Sequence, residues 1–252
     1  MLTGKTILIT GAAGLLGSQV TASILTQGAK VIVVDRSNSA MKHKFQDLIQ
    51  NYGNSLTLAE LDITDEVAVK QFFSGLNELS GAVNCAYPRN TQYGTSFLEV
   101  SLESFNENLS LHLGSSFLFM QQCATLFVRQ QSPMSVVNIS SIYGVVAPKF
   151  SLYEGTPMTM PVEYAAIKSA LLHLSKYVVA FIKDSRFRIN SISPGGIFDN
   201  QPASFLKAYQ DSTNGHGMLA PSDIVGSITF LLSQQSQYIT GQNITIDDGF
   251  TL

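Results

Sequence analysis

The segment Thr6–Asp35 constrains the fold more than any other part of the chain. Thr6-Ile7-Leu8-Ile9-Thr10 is an uncharged, β-branched run, the pattern of a strand buried on both faces. It enters Gly11-Ala12-Ala13-Gly14-Leu15-Leu16-Gly17, after which Ser18 to Gln27 reads as a helix closed by Gly28. Lys30-Val31-Ile32-Val33-Val34-Asp35 is a second strand. Strand, glycine-rich turn, helix and strand make a βαβ unit, whose two strands must run parallel.

The same alternation continues. Helices are expected over 41–53, 67–76, 102–130, 164–183 and 221–233, and strands over 56–61, 81–86, 135–141, 187–192 and 243–246. This order predicts an α/β protein, a single-domain Rossmann-type doubly wound parallel sheet with helices on both faces, spanning 1–252. A composition of 45% apolar and 13% charged residues suits a sheet covered on both sides. The formal charge of −3, with no basic stripe, argues against nucleic acid and anionic membrane as partners. No apolar run approaches the ~20 residues of a spanning helix, and no signal-peptide layout precedes Lys5, so a cytoplasmic protein is expected. Cys85 and Cys123 form no Cys-x-x-Cys pair and read as buried thiols; no metal site is expected.

In doubly wound sheets ligands bind beyond the carboxyl ends of the strands. Small residues at Gly11, Gly14 and Gly17 let backbone amides approach a pyrophosphate, seated on the helix that starts near Leu15 and Leu16. Asp35 follows at the distance from which an acid reaches the adenosine ribose. A carboxylate there accepts from a free 2′-hydroxyl and repels a 2′-phosphate, which favours NAD; the neighbouring Arg36 keeps NADP open. The other strand ends on this rim are Asp62 with Ile63, Cys85-Ala86-Tyr87, Ser141 and Pro194-Gly195-Gly196-Ile197.

Tyr164 and Lys168 stand four residues apart, on one face of their predicted helix. Neither is a useful base at neutral pH alone, but a nearby ammonium favours phenolate and poises Tyr164 for proton transfer. Alone, the spacing is common enough to describe any amphipathic helix.

Taken together these residues resemble the short-chain dehydrogenase/reductase family, from Thr10 to Gly249. Thr10-Gly11-x-x-Gly14-x-x-Gly17 is similar to its cofactor turn, Asn84-Cys85-Ala86-Tyr87 to its Asn-Asn-Ala-Gly segment, Asn138-Ile139-Ser140-Ser141 to its serine strand, and Tyr164-x-x-x-Lys168 to its catalytic pair. Ser193-Pro194-Gly195-Gly196-Ile197 resembles the segment flanking the nicotinamide, and Asp62 the acid that holds the adenine. The resemblance implies an oxidoreductase. Tyr164 would exchange the proton on the substrate oxygen, Lys168 would lower the phenol pKa and bind the nicotinamide ribose, and Ser141, rather than Ser140, would hold the reacting carbonyl. It also implies a homodimer or homotetramer built on the long helices.

Four departures stand out. The glycine spacing is nearer the extended, nucleotide-sugar members of the family. His112 occupies the position of the family's catalytic asparagine, where a neutral imidazole could hold a relay water. A longer stretch, 149–161, precedes the tyrosine helix, and its Tyr153 and Glu154 are candidate substrate contacts beside Ser141, Tyr164 and Gly196; a lid or subunit contact is the alternative. The segment 198–215 is short for a substrate lid and rather polar, with Phe198, Phe205 and Leu206 expected to pack inward. This mixed rim suggests a polar carbonyl or secondary alcohol, plausibly a sugar derivative, and 145–161 has a weaker resemblance to oxidoreductases of flagellin and surface-sugar modification. A dinucleotide sensor or scaffold, and a nucleotide-sugar epimerase or dehydratase, are the competing readings.

Overall fold

Seven parallel strands form one sheet: β1 (Thr6–Thr10), β2 (Lys30–Asp35), β3 (Leu56–Glu60), β4 (Gly81–Asn84), β5 (Met134–Ile139), β6 (Phe187–Pro194) and β7 (Asn243–Ile246). Their spatial order is β3-β2-β1-β4-β5-β6-β7 in the computed structural model, which describes residues 1–252. The chain winds outward from β1 to β3, then returns to lay β4 on the other side of β1. That reversal opens a crevice between the ends of β1 and β4, where such folds bind ligands. Thr10 pairs with both Val34 and Asn84 there, and its hydroxyl donates to Asn84 Oδ1 at 2.7 Å.

Alternation along the strands builds two cores. Ile7, Ile9, Val31 and Val33 face a cluster completed by α1 (Leu15–Thr26), α2 (Asn38–Lys44) and, near the C-terminus, the helix Pro221–Leu232. Leu8, Val34, Val136 and Ile189 face the other, covered by helices at Glu66–Ser74, Ser115–Gln130 and Val162–Ile182. A smaller third cluster, Ile142, Tyr143, Leu152, Phe205, Tyr209 and Phe250, lies beyond the strand ends.

Several elements differ from expectation. The helix expected over 41–53 is two, α2 and α3 (Gln46–Tyr52), because Phe45 turns its fully buried side chain into the core at the junction. α4 is Glu66–Ser74. The long helix over 102–130 is interrupted: α5 (Leu102–Asn108) passes through a π-helical turn, Leu109–Gly114, into α6 (Ser115–Gln130). Such turns concentrate at functional sites, and this one carries His112. α7 (Val162–Ile182) is long and apolar enough by composition to cross a bilayer, contrary to the sequence reading. It lies instead against β6 and α6, with Glu163 and Lys168 buried at its start. The segment 198–215 holds a helix, α8 (Ala203–Asp211), that its polar composition hid. Phe198 points outward rather than inward, while Phe205 and Tyr209 are buried. Pro221–Leu232 is α9.

Candidate active site

A cavity of about 900 Å³ runs along the strand ends from Asp35 and Arg36, past Tyr164, to Phe205 and Met218. Its first half is backbone and short side chains. Gly11, Gly14, Leu15 and Leu16 line it at the start of α1, and no side chain caps that helix, so its first N–H groups remain free for an anion. Asp35 accepts hydrogen bonds from Ala13 N–H (3.0 Å) and Arg36 N–H (2.8 Å), which tie β2 to the glycine turn. Asp62, Ile63, Cys85, Ala86 and Tyr87 continue the wall, with Pro194, Gly195, Gly196 and Ile197 opposite. Burial pushes the Cys85 thiol up to about 12, so it stays protonated. This donor set fits a dinucleotide: uncapped amides for phosphates, a carboxylate for a ribose. Gly17 is the exception among the sequence candidates. It does not line the cavity; a Cβ there would lie 2.2 Å from Gly11 O, so this glycine lets α1 pack against the turn.

The second half is built of side chains. Ser141, Tyr164 and Lys168 all line the cavity. The two serines have separate fates: Ser140 donates its hydroxyl to the Lys168 carbonyl at 2.7 Å, and Ser141 Oγ, which accepts from Tyr143 N–H, lies close enough to the Tyr164 phenol to act on its pKa. Gly144 makes this approach feasible, because a Cβ there would meet the Lys168 carbonyl carbon at 2.6 Å. Lys168 Nζ donates to the Ile139 carbonyl at 2.8 Å and stands 5.5 Å from the Tyr164 ring centre.

The electrostatics correct the sequence expectation. In the protein alone the Tyr164 phenol is pushed up by burial, partly offset by the Ser141 hydroxyl, and Lys168 does not lower it. The reason is that burial brings Lys168 itself down to about 7, so near neutrality only part of the population carries its charge. His112 lies behind Lys168, 2% exposed, with Nε2 3.5 Å from Nζ and outside the cavity wall. Burial first, and then the Lys168 charge, lower it to about 2, which makes it a neutral imidazole under Lys168.

Tyr87, where the resemblance has a glycine, packs edge-on to Tyr164 (5.7 Å), His112 (4.9 Å) and Tyr93 (5.7 Å), and its hydroxyl meets that of Tyr93. Of the candidates on 149–161, Tyr153 lines the cavity and its phenol bonds Tyr143, whereas Glu154 is exposed and does not reach it. Tyr209, on α8, accepts from Gly196 N–H at 2.5 Å and closes the floor; its only sequence signal was helical spacing from Phe205. Asn108 is buried and donates to Glu163 Oε1 at 3.0 Å, joining α5 to the start of α7; no motif marks that pair.

Fold and site together define a Rossmann-type oxidoreductase that binds a nicotinamide dinucleotide. A family model described as enoyl-(acyl carrier protein) reductase matches residues 11–251. Post-translational flagellin modification protein A of Campylobacter coli is 35% identical over the full length of both chains, and 7alpha-hydroxysteroid dehydrogenase of Bacteroides fragilis is 26% identical over 98% of this chain and 95% of its own. The crystal structure of a short chain dehydrogenase from Leptospira borgpetersenii with bound NAD+ superposes with a TM-score of 0.88 at 33% identity, covering 100% of this chain and 94% of that one. The chain belongs to the short-chain dehydrogenase/reductase family.

Proposed function

We propose that this member moves hydride between NAD(H) and a polar carbonyl or secondary alcohol, a sugar derivative, with Tyr164 exchanging the proton on the reacting oxygen. The observation that carries this reading is the meeting of Tyr164, Ser141 and Lys168 on one wall of the cavity that begins at the glycine turn. When bound, the nicotinamide supplies or accepts the hydride. Gly11, Gly14, Leu15 and Leu16 would hold the phosphates, Asp35 the adenosine ribose, and Lys168 the nicotinamide ribose. Ser141 orients the substrate oxygen toward the phenol, with which Tyr164 exchanges its proton. His112, neutral and under Lys168, positions that amine. Asp35 favours NAD over NADP by repulsion of a 2′-phosphate.

Polarity of the substrate is supported by Tyr143, Tyr153, Asn90, Thr91 and Gln201 in the far wall, mixed with Met158, Met160 and Met218. Likeness to the flagellin modification protein agrees with it. A cytoplasmic homodimer or homotetramer completes the reading, supported by exposed Phe117 and Val128 on α6 and Tyr177 and Phe181 on α7. Replacement of glycine by Tyr87 beside Tyr164 favours a second reading, a dinucleotide sensor, which requires NADH binding without turnover. Tyr164→Phe separates the two. Turnover on a panel of keto-sugars and polyols should fall ~10²–10⁴-fold with NADH affinity retained. Undiminished turnover in a folded variant would remove Tyr164 from the chemistry, and absence of turnover in the wild type would favour the sensor.

A further inference from the structure

Three cationic side chains line the cavity, Arg36, Arg89 and Lys168. Arg36 sits at the β2 end and Lys168 is bonded to Ile139. Arg89 is different. It takes part in none of the three ion pairs of the molecule, although Asp199 lines the same cavity. Its guanidinium lies over two aromatic rings, with Cζ 5.1 Å from the centre of Tyr87 and 5.9 Å from that of Tyr93. Tyr87 in turn touches the Tyr164 ring, so one aromatic ring separates this cation from the phenol.

The loop that carries Arg89 is anchored rather than free. The next residue, Asn90, donates its backbone N–H to buried Asn108 Oδ1 at 3.0 Å, and its amide to Glu107 at 2.7 Å. Asn108 reaches Glu163, the residue before Tyr164. At the far end of the loop Gly94 O accepts from the Thr159 hydroxyl at 2.7 Å, which links it to 149–161. The Arg89 side chain itself is exposed, with its guanidinium within 6 Å of two ring centres, and its fork matches a planar carboxylate in bidentate fashion.

We infer that Arg89 binds a carboxylate of the substrate, which makes that substrate a keto or hydroxy acid. The inference rests on the hydride chemistry proposed at Tyr164. A phosphate ester, with nearly two charges at neutral pH, would find only one free cation on this wall.

Calorimetric titration of the protein–NADH complex tests it with three ligands: 5-keto-D-gluconate, L-sorbose, which replaces that carboxylate by a hydroxymethyl group, and fructose 6-phosphate. The acid should bind about tenfold or more tighter than sorbose. Arg89→Met should weaken the acid about tenfold to a hundredfold and leave sorbose and NADH affinity unchanged, and Arg89→Lys should restore part of the loss. A merely structural role would weaken acid and neutral ligand alike. Equal affinity for acid and sorbose, no acid binding at tens of millimolar, tighter binding of the phosphate ester, or a loss confined to NADH in Arg89→Met each overturns the inference. The binding ratio is read without turnover, so it can fail while Tyr164→Phe still behaves as a proton-transfer variant. Absence of NADH binding removes both.

Discussion

The two ends of the cavity are held by different means. At the β2 end the wall is the carboxyl edge of the sheet itself, made of strand termini and the glycine turn and backed by two large apolar cores. At the Phe205 end it is three separate chain segments, 87–94, 149–161 and α8, of which the last two pack in a six-residue cluster. Polar contacts connect them: Asn90 to Asn108, Ser104 and Glu107, Thr159 to Gly94, and Gly196 to Tyr209. Tyr164 stands at the seam. A frame of strand ends can keep one cofactor geometry while the opposite wall changes its side chains, which separates what this protein shares with its relatives from what it recognises.

The contrast can be broken from either side. On the frame, Asp35→Ser removes the carboxylate proposed to hold the ribose, so the ratio of kcat/KM with NADH to that with NADPH should drop about tenfold or more. An unchanged ratio would place cofactor choice elsewhere. On the wall, Glu163→Leu removes one of three acceptors of the buried Asn108 amide, the others being Asn90 Oδ1 and the Ser104 carbonyl, and urea unfolding should show a loss of about 1 kcal/mol, whereas Glu163→Gln keeps an acceptor oxygen and should lose less. Equal losses in the two variants would show that the bond does not hold α5 to α7.

A third effect lies at the seam. His112 is lowered from 6.5 to about 2 on folding. Between those values the unfolded chain binds the extra proton, so this group makes stability fall as pH drops below about 6.5, with the full loss reached near pH 2. Lys168, lowered from 10.5 to about 7, acts on the other side, and through it stability rises with pH from about 7 to 10.5. His112→Asn should therefore flatten the urea midpoint between pH 6.5 and 4 and leave the alkaline side alone. A slope equal to that of the wild type would mean that the imidazole is not held neutral.

Much of the frame is legible in the sequence because buried parallel strands announce themselves as uncharged β-branched runs and the glycine turn has a fixed place after the first. The break at Phe45 is not legible, since helix-forming residues flank it on both sides and only the tertiary burial of its ring decides it. Nor is the π-turn around His112, where one widened turn leaves the apolar spacing of the surrounding helix almost unchanged. The wall is harder still. Tyr153 and Glu154 are adjacent polar-tipped residues in one loop, and nothing in their order says that one faces the cavity and the other solvent. α8 shows itself only in the Phe205–Tyr209 spacing within a polar stretch. Gly17 reads as a phosphate contact because packing glycines and binding glycines look the same in a sequence.

Lys168 is gripped at both ends by the tip of β5: its amine by the Ile139 carbonyl and its own carbonyl by the Ser140 hydroxyl. One turn of α7 is thereby stapled to the end of an interior strand of the sheet. Whatever breathing the far wall undergoes as ligands come and go, the spacing between serine, phenol and amine is set by strand and helix rather than by loop. A change of sequence in the far wall can therefore reshape the mouth of the cavity without touching the staple between α7 and β5.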